Sequence, residues 1–278
     1  MVAQLENYRG RIMTIHVLIQ CSKKKSLDFS PEMTWSSKTN LNSWKTNWEK
    51  QQTRTDAEKL YSGRSIKREF EFISQTAGVE GYIISAGAGL AILNDKIPSY
   101  ESTFSNGNGP NYSQWHQLPL GGLSKINLEE GDVIVSFAAP NYHRAIKADP
   151  QFEKLASKFV VASTSSLSSH QDVTSVEIHP RTAELLKVAY IDLNSELLNQ
   201  YLIGGIKRLE DVHQECEKLP PMQQRSTISD EDLLSLIESF ESISSITNSV
   251  KYIRHTLGIS ASYERIRDVI HQLRKKSC

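Results

Sequence analysis

A mostly parallel central sheet flanked by helices, an α/β fold carrying a C-terminal helical appendage, is predicted for this 278-residue chain. Three observations predict it. Four short runs are apolar enough to be strands covered on both faces. The stretches between them are long enough for crossover connections, which parallel strands need. Beyond a linker with paired prolines the sequence reads as helical throughout.

The first strand is residues 13–20, rich in β-branched side chains, and it stops at Cys21, Ser22, Lys23, Lys24 and Lys25. A polar stretch holding Trp35, Trp44 and Trp48 follows. Residues 66–77 have helical periodicity, with Ile66, Phe70, Ile73 and Ala77 on one face and Gly78 as the stop. The second strand, 81–85, runs into Ala86, Gly87, Ala88, Gly89 and Leu90. Residues 94–122 are rich in Gly, Pro, Asn and Ser and read as a long loop, a feature that is usually functional or disordered. A third strand, 132–137, leads to Pro140, Asn141, Tyr142 and His143. A helix over 151–158 and a fourth strand over 159–162 precede a serine-rich loop reaching His170. Residues 183–218 are helical, and 219–228 form the linker. Ser229 to Asp232 match a capping box, and two further helices split near Gly258. The chain thus divides into an α/β domain, 1–218, and a helix-turn-helix-like appendage, 229–278, with no internal repeats.

Hydrophobic residues make up 38% and charged residues 23%, which excludes wholesale disorder. The 32 Lys and Arg balance the 32 Asp and Glu, so any nucleic-acid binding must rest on local patches rather than bulk charge. One patch is residues 251–278, with seven cations against two carboxylates; residues 229–250 are correspondingly acidic. Cys21, Cys216 and Cys278 are far apart and odd in number, against a disulfide framework or a cysteine zinc site and in favour of a reducing compartment. There is no signal-like apolar segment at the start, and no run approaches the ~18 apolar residues of a membrane span. A soluble cytoplasmic protein without a membrane partner is expected.

In parallel sheets ligands sit outside the carboxyl ends of the strands. Segments 21–25, 85–90, 138–143 and 163–170 each follow a strand, so they should meet at one rim and form a cationic cavity containing Lys23, Ser85, Tyr100 and His143. Lys23, Lys24 and Lys25 read either as phosphate contacts or as a solvated run. The small residues after Ser85 suit a close ligand approach or a tight strand-to-helix turn; they match neither G-x-G-x-x-G nor a Walker loop. Tyr100 beside Glu101 joins a stacking ring to a carboxylate, with Asp95 a second carboxylate; the bland alternative is a loop tucked on the core. Asn141, Tyr142 and His143 offer an amide, a ring and an imidazole, or merely a helix start. The basic C-terminal helices read equally as a clamp on phosphates or as an amphipathic pair. Metal motifs are absent, and no cofactor is expected.

Taken in order, C-S-K-K-K at 21–25, L-Y-S-G-R at 60–64, S-A-G-A-G-L at 85–90 and I-P-S-Y-E-S-T-F at 97–104 resemble a bacterial family that recurs near phage-defence genes. That family is distantly similar to the uracil-DNA-glycosylase-like superfamily, including domains associated with archaeal tRNA deazaguanine modification. The resemblance covers residues 13–165, with a weaker echo in the C-terminal helices. Cys21 to Lys25 stand where uracil-DNA glycosylases carry G-Q-D-P-Y, and Pro140 to His143 loosely match their H-P-S-P loop. The resemblance implies a three-layer sandwich and an anti-phage DNA glycosylase that excises glucosylated 5-hydroxymethylcytosine and leaves an abasic site. Its partner would be double-stranded DNA carrying the modified cytosine, with no obligate protein partner. On this reading Glu101 or Asp95 orients water and stabilises the oxocarbenium-like sugar, while His143 stabilises the departing base. Ser85, Gly87, Tyr100, Asn141 and Tyr142 bind the flipped base. Ser22, Lys23, Lys24, Lys25, Arg265, Arg267 and Lys275 contact phosphates. The alternatives are a tRNA base-exchange or nucleoside-hydrolysing enzyme and a non-catalytic reader of modified DNA.

Overall fold

The computed structural model describes residues 13–104, 108–220, 226–240 and 245–276, with the side chains of His255, Lys275 and Lys276 outside that description. The chain forms two compact units, one up to Leu219 and one from Pro220.

In the first unit the elements run β1 (Ile15–Gln20), α1 (Leu41–Lys50), β2 (Thr55–Asp56), α2 (Ala57–Leu60), α3 (Arg64–Gln75), β3 (Val79–Ser85), β4 (Gly89–Ile92) and β5 (Lys96–Ile97). They continue with β6 (Val133–Ser136), α4 (Pro140–Lys147), α5 (Phe152–Leu155), β7 (Phe159–Ala162), β8 (Thr174–Val176), α6 (Thr182–Leu185) and α7 (Leu193–Glu217). Six strands form one sheet in the order β4-β3-β1-β6-β7-β8. All neighbours pair in parallel except β3 and β4, which are antiparallel. The mostly parallel sheet read from the sequence is therefore present.

β1 lies at the centre because Ile15, Val17, Leu18 and Ile19 bury side chains on both faces. The chain leaves β1 toward β3, then returns across it to β6. Right-handed crossovers in opposite directions lie on opposite faces. The carboxyl end of β1 is consequently the point where strand order reverses, the usual place for a ligand crevice in such sheets.

Several elements differ from the sequence expectation, β8 among them, since the sequence predicts no strand there. The polar stretch around the tryptophans contains α1, opened by a capping box in which Asn40 Oδ1 accepts from Ser43 N at 2.9 Å and Ser43 Oγ accepts from Asn40 N at 3.2 Å. Its Trp44 and Trp48 are buried in the core. The small-residue turn after Ser85 joins two strands of a hairpin and does not lead into a helix. Gly89 sits at φ +96°, and a Cβ there would stand 2.3 Å from the Gly121 carbonyl oxygen, which accepts from Leu90 N. Gly89→Ala is therefore expected to cost about 1–3 kcal/mol, readable as a lower urea midpoint at unchanged slope. Finally, the single helix expected over 183–218 is broken, with Lys187 at φ 54° and Gly204–Gly205 non-helical within α7.

The second unit contains β9 (Ser226–Thr227), α8 (Asp230–Glu238), α9 (Ile246–Lys251), β10 (Ile259–Ser260) and α10 (Tyr263–Lys276). Ser229 caps α8, accepting from Asp232 N at 3.0 Å. Leu233, Ile237, Ile253, Ile266 and Ile270 form its own apolar core. Among the described residues no helix is long and apolar enough to cross a membrane.

Candidate functional site

Among the described residues three sizeable cavities open at the carboxyl ends of the strands. The loop after β1 walls two of them, of about 510 and 320 Å³, which share Cys21, Ser22, Lys23 and Tyr142. The larger extends to Arg64, Glu69 and Asp192, the smaller to Glu101, Thr103 and Asn108. The third, about 550 Å³, lies beyond the ends of β6 and β7 and includes His143, Ser165 and His179. Ile191 lines both it and the larger of the first two.

The loop after β1 is held to the start of α3. Ser22 Oγ donates to Lys24 O at 2.7 Å and accepts from Gly63 N at 3.2 Å, while Ser62 N donates to Lys24 O at 3.0 Å. This leaves Lys23 and Lys24 exposed. Lys25 turns inward instead. Its ammonium lies 4.6 Å from the centre of the Tyr100 ring and donates to Lys23 O at 3.4 Å, and burial lowers its pKa. A cation held inside over a ring is a poor phosphate contact, so the placement of Lys25 does not suit the role expected of it.

Tyr142 stands at the junction of the two adjoining cavities. Its hydroxyl lies 3.5 Å from Cys21 Sγ. The adjacent Cys21 and burial raise its pKa, so the phenol stays protonated. Phe104 meets its ring edge-on at 5.4 Å, and Tyr112 packs behind Phe104 at 5.5 Å. Glu101 is half-buried at the wall of the smaller cavity, and its backbone pairs with Met33 and Trp35.

Other expected site residues lie elsewhere. No one cavity holds Lys23, Ser85, Tyr100 and His143 together. Ser85 and Gly87 are buried and line none of these cavities. The Ser85 hydroxyl bonds the Tyr100 hydroxyl and accepts from Ala88 N at 2.8 Å. The Ser85, Ala86 and Gly87 carbonyls accept from Trp115 Nε1, Ser102 Oγ and Trp44 Nε1. A Cβ on Gly87 would lie 2.5 Å from the Tyr100 ring, so the glycine serves packing and leaves no room for a ligand. Tyr100 is fully buried, packed against Trp44 and Trp48, with its hydroxyl 2.6 Å from that of Tyr61. Neither ring face is open for stacking. Asp95 Oδ2 accepts from Ile92 N and from Lys125 Nζ at 2.8 Å, closing the turn after β4 outside these cavities. Asn141 Oδ1 accepts from the Tyr112 hydroxyl at 3.2 Å, also outside them.

His143 is buried on α4. Ser136 Oγ donates to Leu18 O at 2.9 Å, so its lone pairs face His143 Nε2 at 3.0 Å, and Nε2 carries the hydrogen. Nδ1 then accepts from Ser165 Oγ at 2.6 Å. Both nitrogens are occupied, and neither is spare for a departing base. Burial lowers the pKa to about 4. In the unfolded chain the imidazole titrates near 6.5. Its contribution to stability is therefore complete above pH 6.5 and is lost as pH falls toward 4, by up to about 3 kcal/mol. His143→Gln is expected to flatten this acid limb in urea denaturation; an unchanged slope between pH 6.5 and 4 would show that the imidazole is already charged.

In the second unit Arg265 Nε donates to Asp230 Oδ1 at 2.9 Å, and Arg267 pairs with Asp268 at 2.8 Å. Much of their charge is thus answered locally. The Lys275 side chain lies outside the described residues. Among the described residues no group of three or more His, Cys, Asp or Glu is placed to hold a metal ion.

Sequence reading missed Glu69, Asp192 and Ile191 at these cavities. A signal for Glu69 exists: it falls between Ile66 and Ile73 on the buried face of α3, and a carboxylate within an apolar stripe is unusual.

Residues 46–163 match the model of a family of unknown function, DUF6884. The matched segment runs from within α1 to the end of β7 and carries Glu69, Glu101 and Tyr142. No curated protein and no solved structure matches the chain.

Proposed function

We propose that this chain is a monofunctional DNA glycosylase with a uracil-DNA-glycosylase-like core, which flips out and hydrolytically excises a bulky modified cytosine such as glucosylated 5-hydroxymethylcytosine. The observation that carries the reading is the pair of adjoining cavities at the end of β1, rimmed by Lys23 and Lys24 and walled by Tyr142 and Glu101. Their volumes of about 510 and 320 Å³ fall in the range of small-molecule sites and leave room for a sugar substituent beside a base. Tyr142, supported by Phe104, supplies a ring beside the base. Glu101 supplies negative charge for the oxocarbenium-like sugar and a lone pair to orient water. Lys23 and Lys24 contact phosphates and offset part of the flipping cost.

Ile191 lines both the larger of these cavities and the third, its neighbour Tyr190 lines the third, and the two are 79% and 81% exposed. An exposed apolar pair beside a base-sized cavity suits a wedge that fills the gap left in the stack. Ile191→Gly is expected to slow excision from duplex DNA by ~tenfold or more, since unstacking costs a few kcal/mol, and to leave excision from single strands unaltered. Equal slowing on both substrates would exclude the wedge.

The decisive assay incubates purified protein with duplex DNA carrying the glucosylated base and follows released base by mass spectrometry and alkali-dependent strand cleavage. Release of free base with scission only after alkali supports the reading. Scission without alkali identifies a nuclease or lyase, exchange into tRNA a base exchanger, and binding without release a reader.

A further inference from the structure

The proposed reaction needs a group to stabilise the departing base, and His143, with both ring nitrogens engaged, does not line the adjoining cavities. We infer that Glu69, on α3 at the wall of the larger cavity, is the catalytic general acid that protonates the leaving base. This inference rests on the glycosylase reading.

Glu69 is 6% exposed and lines the same cavity as Lys23, Lys24 and Tyr142. Its Oε1 accepts from Ser195 Oγ at 3.1 Å. Ser195 also bonds the Ser65 hydroxyl across the α3–α7 seam, which orients the carboxyl. The surrounding charges are already matched. On its own helix Arg68 pairs with Glu196 of α7 at 3.0 Å, and Arg64 pairs with Asp192. From the loop after β1 come Cys21, Lys23 and Lys24, the two lysines exposed; from α4 comes the Tyr142 phenol. Among the described residues no cation is paired to Glu69. Burial raises its pKa to about 8, outweighing the Ser195 hydrogen bond and the attraction of Arg68. At neutral pH the carboxyl carries a proton it can give.

In the step assigned here the C1′–N bond breaks and its electron pair goes to the base, which takes the Glu69 proton. Water adds to C1′ and its displaced proton restores the Glu69 acid. One water is consumed, one base and one abasic site are formed, and no redox partner is needed. Glu101 faces the sugar from the smaller cavity, so the two carboxyls divide acid and charge-stabilising roles by environment.

The test measures single-turnover base release and duplex binding across pH 5–9. An acid must be protonated to act, so wild-type release should fall along an alkaline limb near pH 8. Glu69→Gln should lose ~100-fold or more of the rate at pH 7, keep its affinity for modified duplex, and lack that limb. Ser195→Ala removes the donor that favours the carboxylate, so its limb should move to higher pH. This second variant decides the matter if Glu69→Gln fails to fold. Release by Glu69→Gln at the wild-type rate with the same limb overturns the assignment while the glycosylase reading stands. Wild-type protein that binds the duplex but releases no base overturns both.

Discussion

Trp44→Ala is expected to lower the unfolding free energy by about 3–5 kcal/mol, the usual cost of truncating a large buried aromatic. Trp44 is fully buried against Trp35 and Tyr100. Its indole N–H donates to Gly87 O at 2.7 Å, the only side-chain donor the described residues offer that carbonyl. Truncation leaves a void and an unanswered buried acceptor, the latter worth about 1–3 kcal/mol. Trp44→Phe should retain most of the volume and lose chiefly the hydrogen bond, so it should fall between wild type and alanine. Urea denaturation at constant slope measures the series. A Trp44→Ala loss below ~1 kcal/mol would mean that the hairpin turn does not depend on the aromatic cluster.

Glu101→Gln is expected to reduce base release by ~10²–10³-fold while duplex binding stays within about threefold, because the change removes charge aimed at the developing cationic sugar and leaves shape intact. The backbone at this position is fixed, its N–H donating to Met33 O and its carbonyl accepting from Trp35 N, both at 2.8 Å. The amide should therefore occupy the same place. Single-turnover rates separate this from loss of binding. If Glu101→Gln excises at the wild-type rate, the smaller cavity has no part in the chemistry. His143→Ala, in contrast, should act mainly on stability and on the acid limb.

The four strands β1, β3, β6 and β7 were readable because burial on both faces makes a short apolar run. β4 was hidden because the small residues before Gly89–Ile92 suited a strand-to-helix turn equally well. α1 was masked by its polar composition, although Asn40 three residues before Ser43 is a legible cap. The placement of Lys23 and Lys24 at a cavity was legible from a cationic run after a buried strand, and that of Glu101 from its carboxylate beside an aromatic. Tyr100 misled because a tyrosine in a glycine-rich loop carries no mark of the tryptophans that enclose it. His143 misled for a related reason: Ser136 and Ser165 lie in neighbouring segments, but nothing in the sequence shows that their hydroxyls close on its two nitrogens. Glu69 escaped because it lies within a helix rather than at a strand end.

The Ser85–Gly89 turn binds three otherwise separate segments, through Trp44, Ser102 and Trp115. Anyone hoping to redirect this scaffold toward another ligand should therefore leave that knot alone, since altering it would cost folding before it changed selectivity. The side chains of Lys23 and Lys24 stand exposed at the larger opening, away from that knot, and libraries confined to those two positions would explore new preferences at less risk to the fold.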